Sequence, residues 1–526
     1  MTSQHAVVPA PPPAPAPRPP GRAARLLGRT GVFAAAAGAA ATALMAARIF
    51  LPGPIGLADN GDGPRRMCAL DSVAQVDPGS APWWAYVNFG YVRAEPGECD
   101  PAGGYRSSAA VLLRLARPLG HWLGLPGEVD LRALAVLFCL LAGLALGVFA
   151  AALRGGLPTR SLVCLAMFLV IGDSIFAGYA ASPYSETAGL LGILLAAAGA
   201  THLGGSPRAR RAGLLVLTAG ALLAVASKTQ AVTMALPFAA LLLFAHVPPA
   251  RAARAWAGRV LPCCAAALVV ATGAVAAQWQ PEPFKVINPT EVVFVGLLGA
   301  ADDPEAAAVE LGLPADFAQY AGRSWWSADP PQNDPRWPGV RGRMTYPTVA
   351  RFLLHHPDAA AGIALGAVED FGAARPGYLG SYPVGAGEPA GSQESRLAVF
   401  GTLLRLLGGG PLLLLVLGLG AGAAGRLRAL RHHPARRAFA AAVLCLAGVT
   451  AVQFLTAAYG EAVEGVKHQV FAVYAAGLVL VLAAAGLCCA PRSGAAGGGA
   501  LPPPRQEPAR AQDHEQEQVQ HQPGRA

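Results

Sequence analysis

The sequence predicts an all-α polytopic membrane protein with about ten transmembrane helices and extracytoplasmic loops that carry the functional site. Three observations lead there. The 526 residues are 54% hydrophobic and only 13% charged, with a positive mean hydropathy, a balance foreign to soluble domains. The apolar residues gather in ten runs separated by short polar connections. Arginines crowd alternate connections, which is how membrane topology is written into a chain. The net charge of +9 is spread over these connections, so nucleic acid is excluded as a partner and the lipid bilayer is the expected one.

Residues 1–30 are rich in Pro and Ala and carry Arg18, Arg22, Arg25 and Arg29; they cannot build a core and are expected to form a disordered cytoplasmic tail. The first run, 31–51, is long enough to span a bilayer. A cleaved signal peptide is the competing reading, but the length of the run and the spans that follow favour an uncleaved anchor. The remaining runs cover 131–153, 161–175, 185–203, 213–227, 231–248, 260–278, 405–425, 438–458 and 469–489, of which 161–175 is short for a full crossing. The transmembrane domain is thus expected over 31–489, with a second disordered cytoplasmic tail over 490–526.

With the amino terminus inside, the cytoplasmic connections hold Arg154 and Arg160; Arg208, Arg210 and Arg211; Arg251, Arg254 and Arg259; and Arg426, Arg428, Arg431, Arg436 and Arg437. The short connections on the other side hold only Lys228 and Lys467. The positive-inside rule then places both termini in the cytoplasm of a multi-pass cell-membrane protein.

Two long external segments follow from that orientation. The first, 52–130, contains Trp83, Trp84, Tyr86, Tyr91 and Tyr105, then an amphipathic piece from Ser107 to Leu125 with Arg114, Arg117 and His121 among leucines, suited to the membrane surface. Cys68 and Cys99 lie in this segment and could form a disulfide if it is extracytoplasmic, whereas Cys139, Cys164, Cys263, Cys264 and Cys445 fall inside apolar runs as small hydrophobes do. The second, 279–395, contains Trp325, Trp326, Trp337 and Arg375-Pro376-Gly377-Tyr378, with one helix expected from Thr348 to Phe371 bearing His355 and His356.

Four polar motifs come out on the external face. Asp59-Asn60-Gly61-Asp62, followed by Arg65 and Arg66, sits where the first span emerges; carboxylates there can act as a general base or hold a divalent cation, although the same residues suit a plain turn. Ser182-Pro183-Tyr184-Ser185-Glu186 presents an acid that fits either a helix start or a functional role. In Ser227-Lys228-Thr229-Gln230 the lysine occupies a tight hairpin between apolar runs, costly unless it meets water, a carboxylate or a phosphate. Glu461, Glu464, Lys467, His468 and Gln469 precede the last run, and Lys467 beside His468 makes a ready phosphate contact. No strand-to-helix glycine loop of the nucleotide-binding kind is visible, so an activated nucleotide donor has no support.

Asn60-Gly61-Asp62, Pro183-Tyr184-Ser185-Glu186, Lys228-Thr229-Gln230 and Lys467-His468, in that order among about ten spans, resemble the GT-C class of membrane glycosyltransferases, and more closely the bacterial hexose transferases of surface-layer glycan biosynthesis. The resemblance covers residues 31–489 and implies a polyprenyl-phosphate-sugar donor with an acidic residue of the first external loop as base, a role falling on Asp62 or Asp59. It implies donor-phosphate contacts at Lys228, Lys467, His468, Arg65 and Arg66, and substrate contacts at Asn60, Tyr184, Glu186, Gln230 and Glu464. A divalent cation, magnesium or manganese, could sit on Asp59 and Asp62. The resemblance also leads one to expect an aromatic residue after Asp62, where this chain has Gly63-Pro64. The expected activity is transfer of a hexose from the lipid phosphate to an extracytoplasmic glycan or lipid-linked acceptor. A transporter or flippase of lipid-linked sugar and a non-enzymatic envelope assembly protein are the alternatives. Transporters often show internal repeats or ionisable groups at mid-membrane, and neither is seen here.

Overall fold

A computed structural model describes residues 30–75, 83–99, 105–248 and 257–489. The expected terminal tails, apart from Thr30 and its neighbours in the first helix, and the connection bearing Arg251 and Arg254 lie outside the described residues. Each of the ten apolar runs forms helix. They are α1 (Thr30–Phe50), α4 (Leu131–Ala152), α5 (Leu157–Ile171), α6 (Glu186–Thr201), α7 (Pro207–Val225), α8 (Ala235–Phe244), α9 (Ala257–Gln278), α16 (Gly409–Arg426), α17 (Pro434–Gly460) and α19 (Val470–Cys488). Seven helices among the described residues are long and apolar enough to cross a membrane. The stretches Leu157–Ile171 and Thr229–Phe244 are apolar but shorter, and α7 opens with Arg208, Arg210 and Arg211, so the count of ten spans is not reached on length and composition.

The helices pack through small residues, as spans must when lipid tails are as apolar as leucine. A Cβ on Gly38 of α1 would stand 2.9 Å from the carbonyl oxygen of Gly143 in α4, so these two backbones meet directly. Gly192 and Gly199 of α6 face Gly220 and Gly213 of α7, each pair seven residues apart and therefore on one helix face; a Cβ on Gly192 would lie 2.4 Å from the amide of Ala224. Helices α6 and α19 are buried along nearly their whole length and form the centre of the bundle.

The ends of this bundle differ. The carboxyl end of α7 leads into Ser227-Lys228, that of α17 into Glu461, and α6 and α19 begin at Glu186 and just after His468. The opposite ends of the same helices carry Arg208, Arg210 and Arg211 on α7 and Arg436 and Arg437 on α17. At that end the Arg154 amide beyond α4 donates to the Cys489 carbonyl beyond α19.

Between α1 and α4 the first polar segment folds as α2 (Gly63–Cys68), α3 (Ala109–Trp122) and a small antiparallel sheet of β1 (Ser72–Ala74), β2 (Gly90–Arg93) and β3 (Val129–Asp130). The register pairs Ser72 with Arg93 and Gly90 with Asp130. The sheet departs from the all-α expectation; strands of two to four residues are too short for alternation to reveal them. Cys68 and Cys99 are disulfide-bonded, with Cα atoms 5.2 Å apart. The expected amphipathic helix is α3: Leu112, Leu113 and Ala116 face the core, while Leu115 and Trp122 stand outside it, Trp122 being 81% exposed.

The second long segment contributes α10 (Glu282–Glu291), a π-helix over Val292–Leu298, α11 (Pro304–Glu310), α12 (Trp337–Val340), α13 (Tyr346–His355) and α14 (Pro357–Ala373), and α15 (Val399–Leu407) follows it. Phe294, Phe317, Trp337 and Phe352 give it a small core of its own. The single helix expected from Thr348 to Phe371 is two, because Pro357 has no amide to continue the first. His355 and His356 pair with Glu310, at 3.4 and 2.7 Å. Farther on, the strand-like stretch 380–382 threads between the two parts of the first segment: Gly56 and Ala58 amides donate to the Ser381 and Gly380 carbonyls, and the Val87 amide to the Tyr382 carbonyl. A Cβ on Gly380 would fall 1.9 Å from the Ala85 carbonyl oxygen, so only glycine fits. Below it, buried Glu394 binds Arg48 of α1 and, at 2.9 Å, Arg396, tying the late segment to the first span. The final short helix, α18 (Gly465–His468), completes the site.

Candidate functional site

The turn after α1 is set by Asp59. Its Oδ1 accepts from the Gly61 amide at 3.0 Å and the Gly63 amide at 2.9 Å, and Gly61 takes φ +102° to make this possible. A Cβ at position 63 would lie 2.2 Å from Asp59 Oδ2, which is why an aromatic residue cannot follow Asp62 here without rebuilding the turn. Asp59 therefore shapes the loop and Asp62 projects from it. Burial raises the Asp59 carboxyl above its ordinary value, against the pull of the Gly63 amide.

Asp62 precedes α2 but caps none of its amides; its Oδ2 instead lies 2.7 Å from Lys467 Nζ, with Arg66 at 3.6 Å and Arg65 Nη1 at 3.7 Å from Oδ1. Burial alone would raise this carboxyl, but Lys467, Arg66 and Lys228 outweigh it and hold it well below the usual carboxylate range. Lys467 is 1% exposed, sits 5.0 Å over the Tyr184 ring and also reaches Glu464 at 3.1 Å; burial depresses it, and the attraction of Asp62 and Glu464 more than restores it. Glu464 adopts φ +60°, unusual for a side chain of this kind, and accepts from Asn60 Nδ2 at 2.6 Å and from the Tyr378 hydroxyl.

A second ion pair adjoins the first. Lys228 Nζ lies 3.1 Å from Glu186 Oε1 and 3.0 Å from His468 Nδ1. His468 is buried, its Nε2 2.8 Å from Glu461 Oε2, and Gln230 Nε2 donates to its carbonyl at 2.7 Å. Nδ1 also lies 3.0 Å from Gln230 Oε1, so one ring nitrogen faces a donor and an acceptor at once, and the ring tautomer decides which contact holds. Arg66 is buried, donates to the Pro183 carbonyl at 3.1 Å and lies over the Tyr105 and Tyr184 rings.

These groups surround a cavity of about 500 Å³. Asn60, Asp62, Arg65, Arg66, Lys228, Gln230, Glu464, Lys467 and His468, all expected from the sequence, line it together. Three expected residues do not. Asp59 is held in its own turn, Tyr184 is buried with its hydroxyl on the Ala58 carbonyl, and Glu186 is buried behind Lys228; all three support the wall from behind. The divalent-cation expectation also finds no fit. Among the described residues no three His, Cys, Asp or Glu side chains are arranged to hold a metal ion, and the carboxylates of Asp59 and Asp62 are engaged by backbone amides and by Lys467.

The outer wall was missed: Trp83, Phe284, Asn288, Glu291 and Trp326. Glu291 is 2% exposed, and burial together with the nearby Glu461 carboxylate pushes it up to about 7. The signal was a lone acid at the head of the run Val292-Val293-Phe294-Val295. A carboxyl raised in the folded state holds its proton there above the pH at which the unfolded chain releases it. Stability is then full below about 4.5 and is lost as pH rises to about 7, by about 3 kcal/mol at most. Unfolding of the detergent-solubilised protein, followed against pH, is expected to show this decline and to lose that part of it in Glu291→Gln. An identical pH profile in the variant would show that Glu291 ionises as it does in water.

The fold and the site define a helical polytopic membrane protein with a charged cavity at one end of its bundle. The model of the YfdI N-terminal transmembrane domain matches residues 32–487, and the chain belongs to that family. Neither curated proteins nor solved structures give a significant match.

Proposed function

We propose that the protein is a membrane hexosyltransferase that moves a sugar from a polyprenyl-phosphate donor to an extracytoplasmic glycan or lipid-linked acceptor. One observation carries the reading: an acid, Asp62, and the cations Lys228, Lys467, Arg65 and Arg66 share the wall of one cavity where apolar helices end. A lipid phosphate at the bilayer surface presents its charge at that depth. The arginines at the far ends of the helices support a cavity that opens to the outside.

In the reaction the acceptor hydroxyl oxygen attacks the anomeric carbon, the bond from that carbon to the phosphate oxygen breaks, and the electron pair leaves with the phosphate. Asp62 takes the hydroxyl proton. Bound to Lys467, Asp62 is ionised but weakly basic. A phosphate that draws Lys467 toward itself restores that basicity when the donor is in place, so the two requirements of the step are met by one contact. Lys228 and Arg65, the less buried cations, meet the phosphate first.

Membranes carrying the full chain and given a synthetic short-chain polyprenyl-phosphate hexose are expected to transfer the sugar. Lys228→Met should raise the donor requirement about tenfold or more, the worth of one charged hydrogen bond, and leave acceptor dependence unchanged. Movement of intact donor between leaflets with no transfer would replace this reading with that of a flippase.

A further inference from the structure

Away from the cations, the cavity wall carries acceptors that no protein group satisfies. Glu291 receives the Trp325 amide, but its Oε1 is buried without a partner. One turn earlier, on the same face of α10, Asn288 Oδ1 is buried and unpartnered too. Its orientation is fixed: the Tyr346 hydroxyl gives its proton to the Gly460 carbonyl at 2.8 Å, so Asn288 meets Tyr346 with its amide NH₂ and is left with its oxygen free. Asn60 is fixed likewise, its Nδ2 on Glu464 and its Oδ1 unpartnered.

Each such group costs stability, so three in one wall ask for a physical reason. The chain turns from α- to π-helix immediately after Glu291, a departure that recurs at functional positions. With Glu291 ionised, all three lack the same thing, a hydrogen-bond donor, and all three line a cavity whose other wall is cationic. We infer that Asn288, Glu291 and Asn60 form a subsite for the hydroxyl groups of a ligand, so that the cavity takes a phosphate-bearing polyol with its phosphate toward Lys228 and Lys467 and its hydroxyls toward Glu291. The terminal torsion of a glutamate is soft, and a small rotation brings Oε1 to the cavity. The inference rests on the sugar-phosphate reading and adds which wall recognises the sugar.

The test uses water-soluble probes on the full chain in detergent: inorganic phosphate, methyl phosphate, methyl hexosides, and the 1-phosphates of glucose, galactose and mannose. Binding is followed by calorimetry and by tryptophan fluorescence, since Trp83 and Trp326 line the cavity. At least one hexose 1-phosphate is expected to bind about tenfold or more tighter than methyl phosphate. Glu291→Leu and Asn288→Leu should bring that ratio near one while methyl phosphate binding stays within about twofold, and Lys228→Met should weaken every phosphate. Glu291→Leu removes an unsatisfied buried acid, so its unfolding temperature should match or exceed that of the parent; Glu291→Gln, which keeps the shape and one acceptor, should retain part of the preference. Equal binding of hexose 1-phosphate and methyl phosphate by the parent overturns the subsite and spares the phosphate reading. So does a Glu291→Leu variant that loses methyl phosphate as strongly as hexose 1-phosphate. Hexoside binding that Glu291→Leu abolishes, with no phosphate bound, keeps the subsite and overturns the phosphate reading. No binding of any probe overturns both.

Discussion

Asp62→Asn is expected to lower the proposed hexosyl transfer by about a hundredfold or more while the protein remains folded in the membrane. Asparagine fills the same space, Lys467 keeps Glu464 at 3.1 Å and Arg66 keeps the Pro183 carbonyl, so the wall is not left without partners. Asp59→Asn should behave differently. Its remaining carbonyl oxygen can still accept from Gly61 and Gly63, so the turn and the activity survive; Asp59→Leu, which leaves both amides without that acceptor, should lose both. Transfer and membrane-inserted protein level are measured for each variant. Activity retained in Asp62→Asn and abolished in Asp59→Asn would transfer the base to the other acid.

The largest loss of stability is expected from Lys467→Met. It takes the nearest cation from the carboxylates of Asp62 and Glu464, and breaking one side of a buried ion pair costs about 3–5 kcal/mol. Lys467→Arg should not restore the parent: the ammonium is enclosed over Tyr184, and the broad planar fork of arginine needs room that a 1% exposed site does not offer. Combining Lys467→Met with Asp62→Leu should recover part of the loss, since an apolar pair can replace a buried ionic one at little cost. Denaturant or thermal unfolding in detergent measures all three. A Lys467→Met protein within about 0.5 kcal/mol of the parent would mean that water reaches this pair and screens it.

What the sequence disclosed and what it withheld divide along a physical line. Hydropathy is local, and every apolar run is helical within a few residues of its expected bounds, even the short 161–175, which begins at Leu157. The meeting of Asp62, Lys228, Lys467 and His468 followed from the helix ends at which they sit. The division of labour between Asp59 and Asp62 was not legible, because it depends on which carboxylate the backbone of Gly61 and Gly63 captures. Tyr184 and Glu186 were placed in the right neighbourhood but stand one layer behind the cavity, a distinction of depth that spacing does not carry. Asn288 and Glu291 were missed because their α10 neighbours look like an ordinary amphipathic turn; only the cavity gives the two oxygens a common direction. His355 and His356, conspicuous in sequence, were drawn to Glu310 instead.

The pairing of Asp62 with Lys467 spans 405 residues, and the loop bearing Asp62 is clasped by stretch 380–382, made more than 300 residues later. During synthesis the acid therefore takes its place at the end of the first span long before its lysine exists. Glu186 finds Lys228 within one helical hairpin, so that pair closes early. Asp62 has Arg65, Arg66 and, later, Lys228 for company until the last span but one has been inserted and α18 arrives. A ribosome that stops before Lys467 leaves a chain anchored in the bilayer with an unfinished cavity, and assembly of the site becomes the final act of insertion.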